Sequence, residues 1–128
     1  MKTLLLDVYD NTVTEVDIKN ELSAFYEVLK CEIIQIVPRH IGYPNVKMDT
    51  KFLVMCDEEG ALKEDQKVSA INGKGDPMFV GNLMFFRQGE DGDLKELSEK
   101  DIKYLKRKIW DAFFLFEGRR HVLVQCEY

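Results

Sequence analysis

The strongest constraint on the fold is one segment near the end of the chain. From Ser98 to Phe116, apolar residues recur at helical spacing: Ile102, Leu105, Ile109, Ala112, Phe113 and Phe116. Such a stripe has to be buried against another element. Ser98 is a suitable N-cap, and Asp101 three residues on completes a capping box with Asp in place of Glu. Leu97 and Ile102 flank the cap as a hydrophobic staple, and Gly118 is placed to end the helix. A helix advances about 100° per residue, so the four consecutive apolar residues Phe113 to Phe116 encircle it. Its end therefore needs cover beyond one face: the segment after Gly118, or a second copy of the chain.

What precedes this helix reads mainly as strands. Thr3–Tyr9 and Thr12–Ile18 flank the turn pair Asp10-Asn11, which predicts a hairpin with one buried face. Asn20 is a plausible N-cap for a short helix of about three turns, with Leu22, Phe25, Tyr26 and Leu29 on one stripe. Cys31–Val37 is β-branched and strand-like, and Pro38 is expected to end it. Residues 39–50 read as a loop. Phe52–Cys56 reads as a buried strand, closed by a turn in which Gly60 is expected to take a positive φ. The stretch 61–75 is polar and weakly patterned. Met78–Phe86 reads as one strand, with Gly81 marking a bulge or close approach, and Arg119–Cys126 as a final short strand or tail. The expected fold class is α+β: a mostly antiparallel sheet of four to six strands with two helices, the longer one C-terminal. At 128 residues without repeat or linker, a single domain is the simplest division.

Charge and cysteine usage narrow the function classes. The chain holds 18 Lys and Arg against 23 Asp and Glu, a net of −5. Duplex-binding proteins ordinarily carry a basic footprint, so nucleic acid is a disfavoured partner. The balance is uneven, though: residues 1–97 have a net of −7 and residues 98–128 a net of +2. Cys31, Cys56 and Cys126 are odd in number and far apart, which supports neither a disulfide framework nor a paired metal motif. Reduced, buried thiols and a cytoplasmic location are expected. No segment approaches the roughly 18 apolar residues of a membrane span, so no membrane association is expected.

No constellation for catalysis, cofactor or metal stands out. Asp57-Glu58-Glu59 and Glu90, Asp91 and Asp93 read as solvated turns. Asn72–Asp76 lacks the ending and helix start of a phosphate loop. His40 and His121 have no partner at zinc spacing, and Cys56 has no sequence-adjacent base. The candidate site is instead a surface. Lys103, Lys106 and Arg107 share an outer helix face, beside Trp110 and Phe114. The functional reading is a partner surface; the bland one is the ordinary solvated side of an amphipathic helix.

Several segments together resemble the DUF3846 family, a domain of unknown function in small bacterial and phage proteins. The likeness runs over about residues 12–108 and leaves 118–128 as a C-terminal extension. It rests on Glu15–Ile18 with the following helix, on Cys56-Asp57-Glu58-Glu59-Gly60-Ala61-Leu62-Lys63, on Asp76–Leu83, and on Gly92-Asp93-Leu94 leading to Leu97-Ser98. Residues 64–69 depart from the family pattern. The resemblance implies a protein of phages and mobile elements and brings no catalytic residues. The expected function is a non-enzymatic accessory protein that binds another protein, with a homodimer as one form of that pairing. The alternative is a nucleic-acid-associated protein or acidic DNA mimic.

Overall fold

The structure is a computed structural model that describes residues 1–42, 49–60, 67–115 and 122–128, with side chains of the long helix described as far as Ile109. Nine strands and two helices follow in the order β1 (Lys2–Asp7), β2 (Thr12–Asp17), α1 (Leu22–Leu29), β3 (Ile34–Ile41), β4 (Lys51–Asp57), β5 (Val68–Ile71), β6 (Pro77–Val80), β7 (Leu83–Gln88), β8 (Leu94–Lys95), α2 (Glu99–Leu115) and β9 (Val124–Glu127). The sheet order is β2-β1-β7-β4-β3-β9-β5-β6, with β8 added on β7. All pairings are antiparallel except β5 with β9, where Ala70 opposes Val124.

The α+β class and the long C-terminal helix agree with the expectation; four to six antiparallel strands do not. Two features raise the count and a third changes the sheet type. Gly81, at φ +87°, and Asn82 break the expected Met78–Phe86 strand into β6 and β7, and the Asn82 side chain accepts the Val8 N–H at 3.0 Å. The segments β5 and β8 have four and two residues, too few to show a period. The parallel β5–β9 pair makes the sheet mixed.

The apolar runs Leu4-Leu5-Leu6, Phe52–Cys56 and Leu83–Phe86 have one cause. Their strands lie in mid-sheet and are covered on both faces, so alternation is lost. Leu4, Leu6, Phe52, Val54, Leu83 and Phe85 join Ile102, Leu105 and Ile109 of α2 on one face. Leu53, Met55, Met84 and Phe86 join Phe25 and Leu29 of α1 on the other. Phe25 meets Phe86 edge-to-face at 6.0 Å between centroids. The first hairpin is accordingly not one-faced: β1 is buried on both sides, and only β2 is largely exposed.

Local signals fare unevenly. The capping box of α2 is present and reciprocal: the Asp101 N–H donates to Ser98 Oγ at 3.1 Å, and the Ser98 N–H donates to Asp101 Oδ2 at 3.0 Å. Asn11 takes the left-handed conformation expected of its turn, at φ 59°. By contrast, α1 is capped at Glu21 without a side-chain bond, not by Asn20, and spans eight residues, about two turns. Gly60 does not take a positive φ; a Cβ there would lie 2.8 Å from the Val80 carbonyl oxygen, so close backbone approach is what favours glycine. Pro38 does not end β3, which continues to Ile41. The Ile41 N–H donates to the Thr50 carbonyl, and bonded pairs alternate along an antiparallel ladder. The nitrogen of Pro38 therefore points away from β4 and costs that pairing nothing. Phe116, Gly118 and residues 119–121 lie outside the described residues.

Candidate functional site

The most elaborate polar arrangement centres on Arg87, near the end of β7, a residue the sequence reading passed over. Its Nη2 and Nε donate to Asp101 Oδ1 at 2.8 and 3.2 Å. Nη2 also donates to the Asp49 carbonyl at 2.9 Å, and Nη1 donates to the Lys51 carbonyl. The guanidinium lies 3.9 Å from the centroid of the Phe52 ring, which stacks in turn on Tyr104 of α2. The Tyr104 hydroxyl donates to the Ile41 carbonyl. Burial alone would push the Asp101 carboxyl up, but the bonds from Arg87 and Ser98 outweigh it and hold the carboxyl below the usual carboxylate range. One arginine thus fastens the start of α2 to β4 and to the segment before β4. A cavity of about 440 Å³ opens beside it, between Asp49, Lys51 and the Gly89–Gly92 turn. Each guanidinium nitrogen is nevertheless already engaged by groups of the chain itself.

The Cys56 and Cys126 thiols are disfavoured as nucleophiles. Cys31, Cys56 and Cys126 are buried and form no disulfide. Burial, aided by the neighbouring Asp57 charge, pushes Cys56 up to about 11. Burial also pushes Cys126 up to about 12, against a small opposing pull from Arg39. Because the thiolate is the nucleophile, a Cys56-based reaction is disfavoured. Native protein at about pH 8 should leave Cys56 and Cys126 unmodified by a thiol reagent, while denaturant exposes them to full reaction. Unfolded thiols titrate near about 8.5, so above that pH the native state retains protons that the unfolded state has lost. Stability should therefore fall as pH rises from there toward the native values. Rapid labelling of native protein would show that these cysteines are accessible.

The other candidates resolve individually. His40 Nδ1 lies 2.9 Å from Thr50 Oγ1. In the 72–76 turn, Asn72 Oδ1 accepts from the Lys74 and Asp76 N–H groups at 2.9 Å, and the Gly73 N–H donates to Glu127. The amides of this apparent phosphate loop are therefore already engaged. Asp57 Oδ1 accepts the Glu59 N–H and shapes its own turn. Among the described residues no group of three or more His, Cys, Asp or Glu is arranged to hold a metal ion, and no helix is long and apolar enough to cross a membrane.

Of the candidate surface, Lys103, Lys106 and Arg107 are exposed on the outer face of α2, as their spacing requires. Lys106 Nζ lies 3.4 Å from Glu15 Oε2 of β2, an exposed pair worth little by itself. The Trp110 and Phe114 side chains lie outside the described residues, as does His121.

Comparison with known proteins adds one match. The model of the DUF3846 family, a domain of unknown function, matches residues 1–109 and thus includes β1, β2 and most of α2. No curated protein matches, and no solved structure does.

Proposed function

The chain belongs to the DUF3846 family, a domain of unknown function, and from that premise we propose that it acts by binding a protein partner, as a non-enzymatic accessory factor of a phage or mobile element. The observation that carries this reading is where its reactive groups are spent. The guanidinium of Arg87 is engaged at every nitrogen by Asp101 and by the Lys51 and Asp49 carbonyls of its own chain, and the Cys56 and Cys126 thiols are buried and held protonated. The exposed cations Lys103 and Arg107 face outward instead, on the outer side of α2. Three buried cysteines without a disulfide fit a reducing compartment, so we place the protein in the cytoplasm.

The same outward cations favour a second reading, association with nucleic acid. Capture from a bacterial host lysate, with and without nuclease, separates the two. The protein-partner reading expects a captured protein that withstands nuclease and high salt, and that is lost from the K103E/R107E double variant. Direct binding to random DNA that weakens steeply with salt would establish the second reading instead. Capture that is unchanged in the double variant would remove this helix face from either role.

A further inference from the structure

Most carboxylates around α2 are already engaged. Arg87 holds Asp101, Glu15 lies 3.4 Å from Lys106 Nζ, and Asp17 accepts from the Met1 amino group at 3.2 Å. Glu96 accepts the Lys2 N–H at 3.1 Å. Of the cations, Lys108 lies over the Tyr104 ring. Lys100, Lys103 and Arg107 remain. All three are exposed, and among the described residues their side chains form no ion pair or hydrogen bond. Glu99, four residues before Lys103, forms none either.

This row works against the helix that carries it. Lys103 has Lys100 three residues before it, Lys106 three after and Arg107 four after. Like charges at these spacings are neighbours on the helix surface and destabilise it. Lys100 also lies in the first turn, where the helix dipole favours anions. Local rules broken without a compensating contact are expected at functional surfaces.

We infer that Lys100, Lys103 and Arg107 dock an acidic protein partner, whose carboxylates relieve the repulsion within the row. The inference rests on the protein-partner reading and names the chemistry of that partner. At 1.5 Å per residue the row spans about 10 Å, so the partner segment spreads its carboxylates over that length. A DNA duplex suits the row less well. Its affinity grows with the number of phosphates neutralised, about 6–10 in ordinary complexes, and the row offers three cations. The inward side of α2 is fixed on the sheet through Ile102, Leu105 and Ile109, so the helix presents only its outer face. A phosphate backbone continuing past the row would meet Glu99 and Glu15, in a chain whose net charge is −5. A protein partner can stop short of them.

Fluorescence anisotropy of labelled poly-L-glutamate, titrated with the whole 128-residue chain at low salt, tests this. Poly-L-glutamate should bind more tightly than a labelled DNA duplex of similar length, and Lys103→Glu should weaken its binding by about tenfold or more. The urea midpoint of Lys103→Glu should stay level or rise, because the new carboxylate relieves Lys100, Lys106 and Arg107. A fall would assign Lys103 a structural role and overturn the inference. Lys74→Glu makes the same change of net charge on the exposed 72–76 turn and should bind as the wild type does. An equal loss in Lys74→Glu, tighter binding of the duplex, or no binding of poly-L-glutamate overturns the inference. If poly-L-glutamate does not bind while capture of a protein from lysate still depends on Lys103 and Arg107, the acidic class falls and the protein-partner reading stands.

Discussion

Replacing Phe85 with alanine is expected to lower the unfolding free energy by about 3–5 kcal/mol, the range for truncating a buried phenylalanine. Phe85 has no exposed surface and sits in mid-sheet, opposite Leu4 on β1 and Val54 on β4. Its ring belongs to the cluster that seats α2 through Leu105 and Ile109. Neighbours on two strands and a helix cannot all collapse into the vacated volume, which sets the cost above the transfer term alone. A domain of this size has about 5–15 kcal/mol in total, so the variant should be marginal. Leu22→Ala is the control, because Leu22 is 54% exposed and should change stability by less than about 0.5 kcal/mol. Urea unfolding of the two variants checks the contrast, and a loss below about 1 kcal/mol for Phe85→Ala would show that the mid-sheet register is wrong.

The elements legible in the sequence are those whose signals are local. Ser98 and Asp101 lie three residues apart and need only their own turn to find each other, so the start of α2 was readable to the residue. Asn11 in its turn is a similar case. Ile102, Leu105 and Ile109 were readable because helical period alone puts them on one face. The sheet was harder, since a strand's neighbours are remote. Nothing near residues 68–71 tells that β5 will lie parallel to β9, more than fifty residues on. Pro38 was misread because its cost depends on which side of β3 has a neighbour, a property of the whole sheet. Arg87 was missed for the same reason: its partners Asp49, Lys51 and Asp101 are 14 to 38 residues away, and one arginine after an apolar run looks like an ordinary strand end. The outward face of Lys103, Lys106 and Arg107 was legible from spacing, but spacing carries no information on what such a face binds.

Arg87→Met should cost about 3 kcal/mol, the lower end of the range for breaking a buried ion pair from one side. The arginine and Asp101 side chains are 17% and 11% exposed, so the carboxylate left behind has little water to replace its partner. Methionine keeps much of the apolar stem over Phe52, which isolates the lost charge and hydrogen bonds from lost packing. The pH dependence supplies a second readout. In the wild type, burial raises Asp101 but the bonds from Arg87 and Ser98 win, and the native carboxyl titrates below its unfolded value. Below the unfolded value of about 3.9 the unfolded state therefore binds more protons, and the stability that Asp101 contributes above that pH is lost as pH falls. Without Arg87 only the Ser98 bonds offset burial, and the native carboxyl moves up. Acid unfolding of Arg87→Met should then begin at higher pH than in the wild type, while the gap between the two proteins should narrow at the lowest pH. Asp101→Asn is the companion variant. It removes the charge but keeps an oxygen that can accept the Arg87 N–H groups, so it leaves the arginine near a neutral acceptor and should lose less in the acid range than at about pH 7. Arg87→Met unfolding with the wild-type acid limb and a loss below about 1 kcal/mol would mean that the guanidinium is held at the surface, not locked between α2 and β4.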